Sequence, residues 1–460
     1  MKKLFLLLVL FPLFIACQHT VNYQPRYEKI WSEINDSINH NWQNHVSKIN
    51  SLPDTFAYAT SPYIQFYWDT YFTQKGLLAL NKISWAIGGA NNLLHFVDSL
   101  GFVPNATAAW GENRSQPPYL SIMVWDLYQK TKDKPWLSKA YSTLVKEYHF
   151  WTDTSINAIE KNQTSIPGLQ RYFHHASNQE LKTMFNPELV NRFGFSKDLD
   201  TVEQIRIASN FASEAETGMD FTTRFENRCP DFVAVDLNSN LYCFENILAK
   251  IEIELNMSDG AYWLQKAAAR KILINKYCWV EEKGWYYDYD FVNKRPGKIA
   301  AVTGLSALFA GIASPEQAKK VAEHLSVIET EFGITTCEVS EQKYNYQWDH
   351  YSIWPPMQSL VIMALDNYGL KKDAQRIAMK YLDLVAANYL KPVPSYFIKI
   401  NNGDTVTAIR PKGMIYEKYT RDGKINDREY KANMMFGWST GTFAFAYDYV
   451  LHNKTGHSHY

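Results

Sequence analysis

Apolar residues spaced at helical intervals recur along almost the whole chain, whereas strand-like alternation is confined to one short stretch. The clearest run is Leu237, Leu241, Phe244, Leu248, Ile251 and Leu255, whose steps of four and three place all six on one face of a single helix. The same spacing predicts helices near 74–85, 88–99, 116–130, 137–152, 261–275, 299–312, 315–327, 356–369, 371–389 and 436–452. One hairpin is predicted, Tyr396 to Ile409 around Asn401-Asn402-Gly403-Asp404. Helices in this number, joined by loops rich in Gly, Pro, Asn and Trp, imply an all-α fold of paired helices closed into a toroid, with loops building a pocket at one end. No Pro/Gly/Ser linker divides the chain, so residues 61–460 are expected to form a single domain.

The first residues carry a separate expectation. Lys2 and Lys3 precede an apolar run from Leu4 to Ala16, too short to span a membrane, and a small residue stands directly before Cys17. This pattern resembles a lipoprotein signal. It predicts a signal peptide over 1–16, lipidation at Cys17 and a tether and lead-in over 17–60. It further predicts an exported bacterial lipoprotein of the outer membrane, facing the periplasm or the cell surface and touching membrane through its lipid anchor only. Cys229, Cys243, Cys278 and Cys337 match neither a zinc pattern nor a tight disulfide framework and read as buried small apolar residues.

Charge narrows the chemistry. The chain balances 47 Lys and Arg against 47 Asp and Glu, which argues against a nucleic-acid partner, because phosphate binding needs clustered cationic surface. There is no GxxxxGKS/T, no GxGxxG after a strand, no HExxH and no GxSxG. The adjacent pair His174-His175 cannot aim both rings at one metal from a regular element and reads as surface polar residues. Neither a metal nor an organic cofactor is implied. What remains is carboxylates set among aromatic rings, which make up 15% of the chain.

Four clusters carry that combination. Phe66-Tyr67-Trp68-Asp69-Thr70-Tyr71-Phe72 flanks one acid with rings. Asn105 and then Trp110-Gly111-Glu112-Asn113-Arg114-Ser115-Gln116-Pro117-Pro118 gather amides and a guanidinium before a helix. Glu214 to Phe225 holds Asp220 after Gly218 and before Arg224, with which it could form an exposed i,i+4 pair. Gln347-Trp348-Asp349 with Trp354, and Glu417-Lys418-Tyr419 with Arg428-Glu429-Tyr430 and Trp438, form the last. A sugar ring has apolar C–H faces and a rim of hydroxyls, so a pocket for a small neutral sugar needs flat rings together with carboxylates and amides.

In this order and spacing the chain resembles the trehalases, inverting glycoside hydrolases with an (α/α)6 barrel, from about Tyr63 to Val450. The family's Y-Y-W-D-S/T-Y-F is matched at 66–72, its N-R-S-Q-P-P at 113–118, its E-S-G-W-D-F-S-S-R-W at 216–225, and its E-K-Y…E-Y…F-G-W-S/T at 417–439. The resemblance implies a catalytic domain that hydrolyses a disaccharide, trehalose, to two glucose, with Asp220 as general acid and Glu417 as general base. It further implies substrate contacts at Trp68, Asp69, Asn105, Arg114, Ser115, Gln116, Arg192, Gly218, Trp348, Asp349 and Glu429, with Glu429 the rival for the base. An inverting pair stands roughly 6.5–9.5 Å apart to admit a water, and its acid must be held protonated by burial or a nearby anion.

The departures concern the substrate. Ser61 and Ile64 stand where the family carries an Arg and a Glu, Gly194 where an R-P-E-S-Y element places its acid, and Met219 and Phe225 replace two Trp. Each lost charged contact is worth about 1.5–3 kcal/mol. Inverting hydrolysis of another α-glucoside or an α-mannoside, and a non-catalytic glycan-binding lipoprotein, are the alternative expectations.

Overall fold

A computed structural model describes residues 23–152, 162–341, 344, 346–391, 396–399, 405–408 and 410–455. Cys17 and the rest of the expected signal lie outside these residues, as does the tip of the predicted hairpin. Among the described residues there are fifteen α-helices. They are α1 (Glu28–Asn41), α2 (Tyr67–Ala79), α3 (Ile83–Leu100), α4 (Leu120–Thr131), α5 (Lys134–Thr152), α6 (Asn178–Thr183), α7 (Val190–Phe193) and α8 (Thr201–Glu216), followed by α9 (Val235–Glu254), α10 (Ala261–Tyr277), α11 (Ser306–Phe309), α12 (Pro315–Glu323), α13 (Pro355–Asp366), α14 (Lys371–Leu390) and α15 (Gly437–Thr455).

Burial sorts these helices into two rings. In α2 every residue from Tyr67 to Leu77 is buried, and in α13 every residue from Pro355 to Leu365, so neither helix has a solvent face. In α10 only Trp263, Ala267, Arg270 and Ile274 are buried, a single stripe. The inner helices touch in the order α2, α4, α9, α11, α13 and α15, and α15 packs back on α2. That closure makes the inner ring of an (α/α)6 toroid, with α3, α5, α10, α12 and α14 following their inner partners in the chain. The backbones of α2 and α15 cross so closely that a Cβ on Gly76 would lie 2.4 Å from the Cα of Gly441, and glycine at both positions permits the crossing.

The sixth outer helix is α1, packed on α14 and α15. It occupies part of the segment read as a lead-in. Trp31, Ile34 and Ile38 are buried, and Asp383 of α14 accepts hydrogen bonds from the Tyr23 hydroxyl, the Tyr27 backbone and the Trp31 indole. The predicted first helix is shifted as well: α2 starts at Tyr67 rather than near 74, and a turn at Leu80–Lys82 separates it from α3. The hairpin is present, with Tyr396–Lys399 paired antiparallel to Thr405–Ala408.

Helices α6 to α8 interrupt the ring between its second and third pairs. They carry a smaller core of their own, Leu181, Phe185, Leu189, Phe193 and Phe211, which reaches Phe221 and Tyr346. Asp200 caps α8 by accepting from the Glu203 backbone N–H, and α8 delivers the chain directly to Asp220.

Candidate active site

Inner helices α2, α13 and α15 begin at one end of the toroid, and the acid-aromatic motifs sit at or before those starts. Glu216 ends α8, the Thr217 hydroxyl donates to the Glu214 carbonyl at 2.7 Å, and Gly218 turns the chain at φ +74°. The Phe221 carbonyl then accepts from the backbone N–H groups of Gln347 and Trp348, at 3.1 and 2.9 Å. Asp220 is fixed between these contacts and keeps partial access to solvent. Burial pushes its carboxyl up to about 6, against the opposing pull of the Arg192 and Arg114 guanidinium groups.

Arg224 does not form the exposed pair with Asp220 that its spacing allowed. It is completely buried, with Nε 3.0 Å from Asp288 Oδ2 and Nη2 2.8 Å from both Asp236 Oδ1 and Asp288 Oδ1. Asp288 also accepts from the Val235 backbone N–H at the start of α9, so the ion triad anchors the acid loop to the inner ring. The acids at the end of α8 are buried too. Burial raises Glu214 to about 8 and Glu216 to about 7. Glu216 accepts from the backbone of Ser115 and Phe173, and Glu214 from that of Thr222, so both brace loops around the site.

Glu417 approaches from the other side of the chain. Strand residues Tyr419–Thr420 pair with Ser352–Ile353, which lays the Glu417 loop against the Asp349 loop. The Glu417 carboxylate accepts from the Tyr430 hydroxyl at 2.6 Å, the Asn433 backbone at 3.0 Å and the Asn433 amide at 2.8 Å. Its carbonyl accepts from the Trp438 indole at 3.1 Å. Asp69 and Tyr430 each lie within electrostatic reach of both Asp220 and Glu417, which places the two expected catalytic carboxyls at one site. Asp69 is itself buried, and its carboxyl stands well above the usual range through burial first and Glu417 second.

The remaining expected contacts divide. Arg114 and Arg192 act electrostatically on Asp220; Arg114 donates to Asn113 at 2.7 Å, while Arg192 donates to Gln347 at 2.8 Å and lies over the Phe221 ring. Asn105 is buried, and its carbonyl receives the first N–H of α2. Gln116 accepts from the Trp68 backbone N–H at 3.0 Å, capping α2 from a different loop, because Phe66 has no side chain able to do so. Ser115 turns its hydroxyl to the Val103 carbonyl at 2.6 Å. Gly194 ends α7 at φ +69°, a helix cap.

Four of the expected contacts, Trp68, Trp348, Asp349 and Glu429, are engaged by partners within the protein. Trp68 and Trp348 are 2% and 1% exposed, so they do not present open faces for a sugar. Trp348 stacks on Trp354 at 3.9 Å, and Trp68 packs against Trp348 and Trp438. The four indoles spend their faces on one another and form a rigid floor. Asp349 is fully buried and engaged by Arg428, the Tyr351 backbone and the Ser352 hydroxyl. Glu429 is taken on one oxygen by Lys418 Nζ at 2.6 Å and on the other by Arg428 Nε at 2.9 Å. Asn433 is a neutral amide with no local signal in the sequence, and Glu214 and Glu216, which open the third cluster, carry nothing in sequence that tells a bracing acid from a reacting one.

The opposite end of the toroid is chemically different. A cavity of about 690 Å³ lies among the C-terminal halves of α2, α4, α13 and α15, lined by Lys75, Trp125, Asp126, Met363, Phe445 and Tyr449, and none of the site residues borders it. No group of His, Cys, Asp and Glu among the described residues could hold a metal ion. His174 is buried rather than exposed, bonded to the Ser209 hydroxyl. Cys229, Cys278 and Cys337 are buried free thiols, and Cys243 is partly buried.

The sequence model named Trehalase matches residues 25–450. The chain belongs to the trehalase family. It is 28% identical to the cytosolic neutral trehalase of Beauveria bassiana over 70% of this chain and 49% of that protein. It is 26% identical to the cytosolic neutral trehalase of Neurospora crassa over 83% of this chain and 56% of that one. The chain thus spans about half the length of these curated relatives. The solved neutral trehalase Nth1 from Saccharomyces cerevisiae shares the fold, with a TM-score of 0.68, 23% identity and coverage of 90% of this chain and 79% of that one. The relatives overturn one expectation. They are cytosolic proteins, so the exported outer-membrane lipoprotein facing periplasm or cell surface is withdrawn as the reading of this trehalase-family chain. Among the described residues no helix is long and apolar enough to cross a membrane.

Proposed function

We propose that this chain hydrolyses α,α-trehalose to two glucose with inversion at the attacked carbon. The observation that carries the reading is the contrast between two carboxyls at one site. Asp220 is pushed up to about 6 by burial, which keeps a proton available for the glycosidic oxygen. Glu417 is held by three donors as an acceptor, the form that takes a proton from water. Glu429 is the weaker choice of base, because its oxygens are ion-paired with two cations, Lys418 and Arg428, whereas those of Glu417 accept only from neutral donors. The proton transfers need only the two carboxyls and a water, so the reading calls on no cofactor.

Around this pair, Asp69, Asn105, Arg114, Arg192 and Gln116 are proposed to meet sugar hydroxyls, with the indole floor fixing the loops that carry them. The toroid from α1 to α15 is proposed as one catalytic domain. Purified protein incubated with trehalose is expected to release glucose, and Asp220→Asn and Glu417→Gln are each expected to lower kcat by about 10²–10⁴-fold. A wild-type protein that leaves trehalose intact, or variants with undiminished turnover, would overturn the reading.

A further inference from the structure

The two oxygens of Glu417 are not equivalent. Oε2 accepts two hydrogen bonds, both from Asn433, whereas Oε1 accepts one, from the Tyr430 hydroxyl at 2.6 Å. A carboxylate oxygen offers about two lone-pair directions, so Oε1 retains one that can face a water. Under the Tyr430 ring lies Lys418, whose Nζ is 3.6 Å from the ring centroid. Its side chain is completely buried, and its counter-ion is Glu429 at 2.6 Å. A buried ammonium on a ring face is held by the ring quadrupole and fixes the plane of the phenol. The ion pair therefore acts on Glu417 through Tyr430.

We propose that Tyr430 is a positioning residue for the base: it orients the Glu417 carboxylate so that the open direction of Oε1 faces the attacking water, and the Lys418–Glu429 pair fixes the ring from below. This rests on Glu417 being the base. In the step so positioned, water gives one proton to Oε1 while its oxygen bonds to the anomeric carbon. The bond from that carbon to the bridging oxygen breaks, and the bridging oxygen takes the Asp220 proton. Burial and the Glu417 charge hold the Tyr430 hydroxyl proton far above its ordinary range, so Tyr430 stays a donor throughout. The other charged groups facing this arrangement are Asp69 from α2, Arg192 from α7, Asp220 after α8, and Arg428 beside Glu429.

The test is the pH dependence of trehalose hydrolysis by the purified full chain carrying Tyr430→Phe, which removes the hydroxyl on Glu417 and keeps the ring over Lys418. Removing a donor from a carboxylate disfavours its ionised form, so the acid limb of kcat/KM is expected to move up by about one pH unit. At the optimum, kcat is expected to fall about tenfold with KM within about twofold. Lys418→Gln is expected to move the limb in the same direction by less. An acid limb unmoved in Tyr430→Phe, whatever happens to kcat, would overturn the proposal while leaving an inactive Glu417→Gln to support the base. A fully active Glu417→Gln would instead remove the base assignment itself.

Discussion

A Cβ on Gly218 would stand 2.5 Å from the indole of Trp68. The glycine opens the acid loop, and the indole starts the first inner helix, so the contact ties the two ends of the site together. Its left-handed backbone at φ +74° adds a second reason for glycine. Gly218→Ala is expected to destabilise the fold by about 2–4 kcal/mol and to lower kcat at least about tenfold, because either the indole floor or the acid loop must move. Urea unfolding read beside activity checks both effects.

The raised carboxyl of Asp220 sets a pH limit. Only its protonated form can donate to the glycosidic oxygen, and that form is lost as pH rises through about 6. The basic limb of kcat/KM is therefore expected near pH 6, falling about tenfold per unit above it. A plateau extending beyond pH 8 would contradict the assignment.

The same carboxyl costs stability. Its folded value of about 6 lies above the ordinary 3.8, so the folded state holds the proton more tightly than the unfolded chain. Stability contributed by this group is present below about pH 4 and is lost as pH rises towards 6. Asp220→Asn is expected to be inactive yet more stable at pH 7, by at most about 3 kcal/mol, with the advantage vanishing below about pH 4. Thermal unfolding of both proteins across that range measures it.

Arg224 carries no exposed pair, and its removal would strand two buried acids. Arg224→Met is expected to destabilise by about 3–5 kcal/mol, because Asp236 and Asp288 would lose their counter-ion without gaining water. Combining it with Asp236→Asn and Asp288→Asn is expected to restore much of that loss, as denaturant midpoints would show.

Legibility in the sequence followed burial. The α9 stripe from Leu237 to Ile251 was readable because each member is buried on one helix face. The start of α2 was not, since a helix buried on every side has no apolar stripe to separate from a polar one. Helix α1 escaped because Trp31, Ile34 and Ile38 are its only buried residues among many polar ones. The acid pair was legible only through family motifs; Asp220 and Glu417 lie far apart in sequence, and no local pattern brings them together. Roles such as the Gln116 cap on α2, or the mutual packing of Trp68, Trp348, Trp354 and Trp438, depend on tertiary contacts that composition cannot reveal.

Inversion by the Asp220 and Glu417 pair fixes the configuration of the sugar first released. Proton NMR of the glucose first released from α,α-trehalose, recorded before mutarotation, reads it directly. Equal amounts of α- and β-glucose are the expected result, one from the leaving half and one from the attacked half. Release of α-glucose alone would mean retained configuration and would contradict the account.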